Sequence, residues 1–346
     1  MKPEFTLEQD VSLLSLNSFG INARAHRFLR IENLSQLQAV WEQTQTDAEL
    51  AALPRLVLGG GSNVILPDHL PHLVLLMAIM GRELVDETDD YFIVRSGAGE
   101  NWHDFVQWSV AQGYGGLENL SLIPGTVGAS PIQNIGAYGL EMQDYFHSLT
   151  VFDFVTGELK TFQKQDCAFG YRDSIFKSGE QNRFVILDVS FALPKHWQPR
   201  LAYGDVAKYL QDRDISAPTP LDVSDAIIAI RQSKLPDPAV IGNAGSFFKN
   251  PIVSAERRNQ ILQQYPNCVS YSQASGDFKL AAGWLIEQCG WKGRRCETVG
   301  VYDKQALVLV NLGGATGADV RTLAQEIQTD VLKKFGVALE VEPVFV

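Results

Sequence analysis

Apolar and polar positions along the chain alternate between the period of a helix and that of a strand. Asn33 stands ahead of Leu34, Leu37 and Trp41, which share a face at helical spacing, and it can cap their first turn. Residues 55–58 read as a buried strand that runs straight into Gly59-Gly60-Gly61-Ser62-Asn63; Val64-Ile65-Leu66 follow, then Pro67. A second helix is expected over 101–110, with Asn101 as its cap and Trp102, Phe105, Val106 and Ser109 on one face; His103 reads as a partly exposed helix histidine. Residues 149–155 and 158–162 predict a hairpin across Thr156-Gly157, and 184–189 a strand. Ser224 can cap a helix that aligns Ile227, Ile230, Arg231 and Lys234 and stops at Pro236 and Pro238. Residues 254–265 and 279–289 read as helices and 306–311 as a strand. The clearest amphipathic helix is 319–335, with Val320, Leu323, Ile327, Val331 and Phe335 on its face and Gly336 as its stop. Residues 337–341 alternate into a last strand.

The stretch 122–139, Leu-Ile-Pro-Gly-Thr-Val-Gly-Ala-Ser-Pro-Ile-Gln-Asn-Ile-Gly-Ala-Tyr-Gly, fits neither period and contains no charged side chain. Glycine lets another surface approach the backbone, and proline bars a helix interior or a central strand. Such a segment can lay bare amides and carbonyls against a flat, polar, heteroaromatic ligand. A long structural loop has the same composition. Two further clusters, Gly59-Gly60-Gly61 and Gly97-Ala98-Gly99, favour a cofactor bed.

Size and charge narrow the classes. A chain of 346 residues is too long for one ordinary core, and the pattern changes near Pro194–Pro199, where a domain boundary is expected. The 45% hydrophobic and 20% charged content is that of a globular protein, and a net charge of −11 argues against a nucleic-acid surface. Residues 1–16 mix Lys2, Glu4, Glu8, Gln9 and Asp10 with isolated apolar residues, so no signal peptide is expected, and no apolar run spans a bilayer. Cys167, Cys268, Cys289 and Cys296 show no C-x-x-C spacing; free thiols in a reducing cytoplasm and no metal site are expected.

The glycine clusters are not the familiar phosphate loops. A P-loop needs Gly-Lys-Ser/Thr and a helix, neither of which is here, and Gly59-x-Gly61 and Gly97-x-Gly99 are followed at the third place by Val64 and Trp102 instead of glycine. A nest of successive amides can still hold a pyrophosphate. Arg172 sits among Phe169, Tyr171, Ile175 and Phe176 and needs an anion; Asp173 and a substrate carboxylate are both open to it. Ser246 lies between Gly245 and Phe247-Phe248, outside any Gly-x-Ser-x-Gly elbow and with no histidine in its segment. It is either a turn former or a hydroxyl that gives its proton in a dry pocket. Glu340 and Glu342 project to one face of a strand, either solvated or with one closing over a site. Arg231 and Lys234 can complement the negative end of their helix or meet phosphate.

Eight motifs in order resemble one family: 17–20, 59–64, 97–102, 117–120, 123–139, 169–176, 243–251 and 279–285. It is the UDP-N-acetylenolpyruvoylglucosamine reductase family of peptidoglycan precursor synthesis. The resemblance implies an α+β fold: an FAD-binding module of the vanillyl-alcohol-oxidase (PCMH) type in two subdomains, residues 1–70 and 71–196, followed by an α+β substrate-binding domain, 197–346, whose C-terminal strand closes on the active site. It implies that Gly59, Gly60, Gly61, Ser62, Asn63, Pro124, Gly125, Gly128, Ser130, Gln133, Asn134, Gly136 and Ala137 hold FAD. With no His or Cys in the glycine stretches, the FAD is expected to be noncovalent. Arg172 would polarise the enolpyruvyl carboxylate, Ser246 would be the proton donor and Glu342, the second acid of Leu-Glu-Val-Glu, the third catalytic residue. Pro343 follows that acid where the family often has valine, which leaves Glu340 as the other register. Tyr203, Lys234, Asn250, Tyr271 and Gln305 fall where the family contacts the UDP-sugar, and the insert with Tyr271 resembles the longer variant with a tyrosine loop.

The implied reaction is a hydride from NADPH to FAD, then from flavin N5 to C3 of the enol ether, with a proton from Ser246 to C2. The expected setting is a cytoplasmic monomer that binds neither nucleic acid nor membrane. Two rivals remain: another oxidoreductase on the same FAD module, marked by peroxide formation from an alcohol without NADPH, and a colourless non-catalytic UDP-sugar-binding protein.

Overall fold

The computed structural model describes residues 6–179 and 182–346, so Lys2 and Glu4 of the opening stretch lie outside the described residues. Helices and strands are mixed along the chain, and the sheets are mainly antiparallel, which makes the fold α+β. The chain divides into two units. The first takes the described residues up to Val11 with Ala25–Gly60 and Pro71–Ser233; the second takes Ser12–Arg24, Gly61–Leu70 and Lys234–Val346.

The first unit is built on a five-stranded sheet in the order Glu158–Gln163, Phe146–Asp153, Phe184–Pro194, Tyr91–Gly97, Arg82–Glu87. All its neighbours are antiparallel. The expected hairpin is present, with Asp153 opposite Glu158 and Gly157 at φ 74°. A Cβ at Gly157 would lie 2.4 Å from the Trp41 ring, whose Nε1 donates to Phe154 O at 3.0 Å. Buried Asp153 accepts from Val155 N at 3.0 Å, Lys160 Nζ at 2.6 Å and Arg183 Nη2 at 2.9 Å, which ties the turn to the neighbouring strand. A four-stranded sheet runs Glu8–Ser12, Arg24–Ile31, His69–Met77, Arg55–Leu58, with the last pair parallel.

Three helices matter for the site. Helix α1 (Leu34–Thr46) and helix α2 (Trp102–Ala111) start as the spacing predicts: Asn33 Oδ1 accepts from Gln36 N at 3.0 Å and Asn101 Oδ1 from Asp104 N at 3.1 Å. Helix α3 spans Pro220–Lys234, so Ser224 is not its cap. Thr219 and Asp222 satisfy the first turn through bonds of 2.8 Å and 3.3 Å, and proline at the first helical position fixes φ there. Ser224 is buried within the helix, 2.8 Å from Ser121 Oγ, and accepts from Gln107 Nε2 at 2.8 Å. Helix α2 buries Trp102, Phe105 and Val106 with Phe191 and Leu193; α1 buries Leu37 and Val40 with Leu75, Phe152 and Val185; α3 buries Val223, Ile227 and Ile230 with Val206 and Leu210.

The second unit has a four-stranded antiparallel sheet in the order Asn243–Ser246, Val308–Asn311, Val299–Val301, Arg295–Cys296. Its helices are α4 (Ala255–Gln264), α5 (Ala282–Gln288) and α6 (Gly317–Phe335). Helix α6 buries its five expected apolar residues, opens on a Thr316–Asp319 capping box and stops at Gly336, φ 59°. Two expectations need correction. The helix at 279–289 is shorter, because Phe278–Leu280 pairs as a strand with Ile252–Val253 and Ser270–Ser272. The strand at 337–341 is not a ladder: Val337 and Leu339 are buried as the alternation predicts, but only Val341 bridges, to Phe248. The terminal strand is Val344–Phe345, parallel to Val64–Ile65. All four cysteines are free, and no helix among the described residues is long and apolar enough to cross a membrane.

Candidate active site

Backbone contact draws the three glycine clusters of the first unit together. A Cβ at Gly60 would lie 2.9 Å from Gly125 Cα, one at Gly59 2.5 Å from Thr126 Oγ1, one at Gly128 2.5 Å from Ala98 Cβ and one at Gly99 2.5 Å from Ala78 Cα. Hydrogen bonds stitch the same surfaces: Gly128 N donates to Ala98 O at 3.0 Å, Val127 N to Glu100 O at 2.9 Å and Trp102 N to Gly125 O at 3.0 Å. Glycine is required because each of these backbones approaches closer than a side chain allows. Beside Gly59, the buried Thr126 hydroxyl has no partner. A charge-free cradle with one unspent hydroxyl fits an uncharged, polar ring system such as a flavin.

The bed is pinned at intervals. Leu122 is at φ 59°, and its N–H donates to His103 Nδ1 at 3.0 Å, which fixes a neutral imidazole with its proton on Nε2. Burial keeps His103 below the ordinary histidine value, with Asp104 opposing and Arg231 adding to the effect. Past Pro124, Ser130 donates to Val127 O at 2.7 Å, and Gln133 Oε1 accepts from Lys177 Nζ at 3.3 Å. Asn134, at φ 43°, donates through Nδ2 to Glu141 Oε2 at 2.8 Å and to Gly170 O at 3.0 Å, and its Oδ1 accepts from Gln143 N at 3.1 Å. Gly136 and Ala137 pair with Glu141 and Leu140 in a short ribbon.

Arg172 stands against that ribbon. Its Nη2 donates to Gly136 O at 2.6 Å, and its backbone is at φ 56°, a left-handed conformation that only surrounding contacts can hold in arginine. Asp173 Oδ1 accepts from Ser174 N at 2.9 Å and from Ser178 Oγ. Tyr203 is exposed and packs edge-on against Tyr138, with ring centroids 5.3 Å apart. Lys234 ends helix α3.

In the second unit Asn17-Ser18-Phe19-Gly20 is a hub. Ser18 Oγ donates to Asn243 O at 2.7 Å, Asn243 N to Ser18 O at 3.0 Å and Ser18 N to Gly61 O at 3.0 Å. Gly61, at φ 59°, lies so near that a Cβ would sit 2.0 Å from Leu16 O. Ser62 follows it, then Asn63, whose O accepts from Val344 N at 3.0 Å and whose Nδ2 donates to Glu342 O at 3.4 Å. Gly245, at φ 68°, turns the chain so that Ser246 is exposed while Phe247 and Phe248 are fully buried beneath it. Glu342 N donates to Phe247 O at 2.9 Å, so Glu342 is held one residue from Ser246. Glu340 instead pairs with Lys249 Nζ, at an exposed position. Asn250 Oδ1 accepts from Ala282 N at 2.9 Å, and Gln305 Oε1 accepts from Leu307 N at 3.3 Å. Tyr271 is exposed on the strand opposite Lys279.

Family comparisons match both units. Residues 25–163 match a family model described as FAD binding domain, and residues 237–346 one described as UDP-N-acetylenolpyruvoylglucosamine reductase, C-terminal domain. Over 341 residues, 98% of this chain and 97% of the relative, the sequence is 54% identical to the UDP-N-acetylenolpyruvoylglucosamine reductase of Burkholderia orbicola (strain MC0-3). The chain belongs to the UDP-N-acetylenolpyruvoylglucosamine reductase family. The relative of that name from Burkholderia multivorans (strain ATCC 17616 / 249) is also 54% identical over 341 residues, 98% of this chain and 97% of its own. The crystal structure of UDP-N-acetylenolpyruvylglucosamine reductase from Thermus caldophilus matches with a TM-score of 0.67 at 23% identity, over 98% of each chain, and so shares the family fold.

Some polar residues at this reductase-family site had no role in the sequence reading. Glu118 is buried, accepts from Gly116 N at 2.6 Å and Trp197 Nε1 at 2.7 Å, and burial pushes its carboxyl up. Asn119 Nδ2 donates to Tyr138 O at 2.9 Å and Arg200 O at 3.0 Å, fixing the end of the bed. A Glu-Asn pair between two leucines was the available signal. Thr126 carried none, since its importance lies in a hydroxyl left without a partner.

Proposed function

We propose that this chain catalyses the NADPH-dependent, FAD-mediated reduction of UDP-N-acetylglucosamine enolpyruvate to UDP-N-acetylmuramate, a cytoplasmic step of peptidoglycan precursor synthesis. The identity of 54% over 98% of the chain carries this reading. The charge-free glycine bed and the exposed Ser246 support it from the geometry.

Noncovalent FAD, when bound, supplies the hydride that NADPH provides. The glycine cradle of Gly59, Gly60, Gly125 and Gly128 holds it, with Thr126 Oγ1 as an unspent polar contact. Arg172 receives the enolpyruvyl carboxylate. As C3 takes the hydride, negative charge grows at C2 and spreads into that carboxylate, where a preorganised guanidinium lowers the barrier. The Ser246 hydroxyl then gives its proton to C2, and the double bond is gone. A serine hydroxyl stays protonated at rest, which suits it to quench a strongly basic carbanion. Buried Phe247 and Phe248 keep competing water from that side. Glu342 is the acid of this set; the backbone bond from Glu342 N to Phe247 O, beside Ser246, and the pairing of Glu340 with Lys249 support that choice over Glu340. Tyr203, Lys234, Asn250, Tyr271 and Gln305 bind the UDP-sugar.

The test is NADPH oxidation by the purified flavoprotein with and without the enolpyruvyl UDP-sugar. A rate that requires the sugar is expected. Peroxide from an alcohol without NADPH points to another oxidase, and a colourless protein that binds UDP-sugar points to a binding module; either result overturns the reading.

A further inference from the structure

The segment that leads to Tyr203 has no regular structure of its own. Residues 197–202 form neither helix nor strand. Tyr203 stands at the opening of the helix Gly204–Gln211, where its O accepts from Val206 N at 3.0 Å. It is 46% exposed, and its ring meets Tyr138 edge-on. An exposed ring binds a ligand less well when it must be ordered at the moment of binding, because that ordering costs entropy. Two consecutive residues ahead of the bed, Glu118 and Asn119, supply the anchors.

Glu118 is 1% exposed, and both of its carboxylate oxygens are engaged, Oε2 by Gly116 N at 2.6 Å and Oε1 by Trp197 Nε1 at 2.7 Å. A buried carboxylate is costly unless donors meet it. Beyond its own loop, the donor that meets Glu118 is Trp197 Nε1 and the cation that acts on it is Arg200, both just ahead of Tyr203 in the chain. The Trp197 ring lies against Gly115, where a Cβ would sit 2.8 Å from the ring and 2.8 Å from Pro220. Trp197, Leu201 and Tyr138 pack on one apolar cluster with Val206 and Leu210 of the helix that Tyr203 opens. Asn119 Nδ2 donates to Tyr138 O and to Arg200 O, while Arg200 Nη1 donates to Asp144 Oδ2 at 2.8 Å. Both partners of the Tyr138–Tyr203 ring pair are thereby anchored to residues 118–119. Sealed from solvent, the Glu118 carboxylate acts through Trp197 and touches no ligand itself.

We propose that Glu118, through its bond to Trp197, is a positioning residue for substrate binding that sets the Tyr138–Tyr203 ring pair in place before the UDP-sugar arrives. This rests on the proposed reductase reading, in which Tyr203 contacts the UDP-sugar.

The test compares the full-length flavoprotein with Glu118→Gln, whose amide can accept only one of the two donors, and with Trp197→Phe, which keeps a ring but loses the indole N–H. Three quantities are measured: FAD retention, the UDP-sugar dissociation constant from the flavin absorbance of the oxidised holoenzyme, and the limiting rate of flavin reoxidation at saturating sugar. Each variant should weaken sugar binding at least about fivefold, with FAD retention and the limiting rate within about twofold of wild type. Trp197→Phe added to Tyr203→Ala should weaken binding less than about twofold further, because the tryptophan acts through the tyrosine. Sugar affinity within about twofold of wild type in Trp197→Phe overturns the proposal. So does a parallel fall in FAD retention and limiting rate, full additivity with Tyr203→Ala, or failure of both single variants to fold, since the pair is then only structural. Wild-type protein whose flavin does not respond to the sugar overturns the reductase reading and this proposal with it; wild-type binding with indifferent variants overturns this proposal alone.

Discussion

The bed of residues 122–139 and the turn of residues 243–248 look alike in sequence, both glycine-rich and poor in charge, yet they use glycine for opposite reasons. Around the bed the limit is distance: Gly59, Gly60, Gly99 and Gly128 leave no room for a Cβ. At Gly245 nothing lies within 4 Å of the place a Cβ would take, and the residue is there for its φ of 68°. The first arrangement makes a contact surface out of backbone. The second makes a turn that exposes one side chain, Ser246, over two buried phenylalanines. Composition cannot separate the two uses, but substitution can.

The largest expected effect is at the turn. Ser246→Ala should lower steady-state turnover by roughly 10²–10⁴ and leave bound FAD at the wild-type level. If flavin content, read from the visible spectrum, falls with activity, the two segments do not have separate tasks. The bed should respond in the opposite way. Gly60→Ala forces a methyl against Gly125 Cα, 2.9 Å away, and should cost about 1–3 kcal/mol of stability together with loss of FAD on gel filtration. Retention of FAD and unchanged urea unfolding would show that the approach is not limiting.

Asp153, in the first unit but away from the bed, calibrates the comparison. Arg183 chiefly, then Lys160 and the Val155 amide, hold its carboxyl well below the usual carboxylate range against the opposing effect of burial. A depressed folded-state value means a contribution present above the unfolded pKa of about 3.9 and lost as pH falls through the folded value. Asp153→Asn should therefore cost about 1–3 kcal/mol at neutral pH, discounted because its cationic partners are about a third exposed, with the gap to wild type closing below pH ~4. Neither flavin content nor half-reaction rates should move. The smallest effect is expected at Gly245→Ala, about 1–2 kcal/mol from the left-handed backbone alone, with FAD retention unchanged. A larger loss would mean that Gly245 has a close neighbour after all.

Much of this was legible in the chain because it depends on local chemistry. Caps at Asn33 and Asn101, the face of helix α6 and the hairpin at Gly157 rest on neighbouring residues and appear where the spacing places them. The start of α3 was misplaced because Thr219-Pro220 outranks Ser224 as a helix opening, and Ser224 was needed for a buried bond to Ser121. Strand Arg82–Glu87 left no signal, since most of its residues are exposed at a sheet edge and do not alternate. Residues 337–341 alternate for burial without pairing, so periodicity was right about the side chains and wrong about the backbone. Within the candidate site, Arg172, Ser246 and the glycines were visible as residue types. The unspent Thr126 hydroxyl and the unpartnered Arg231 Nε were not, because a missing partner is a property of three-dimensional surroundings.

The central claim is that hydride and proton reach the substrate from different places, the proton from Ser246. Rapid-mixing absorbance on Ser246→Ala tests it most directly by separating flavin reduction by NADPH from flavin reoxidation by the enolpyruvyl UDP-sugar. NADPH should reduce the flavin at the wild-type rate, while reoxidation slows by at least about 10²-fold. Equal slowing of both halves, or reoxidation at the wild-type rate, would contradict it.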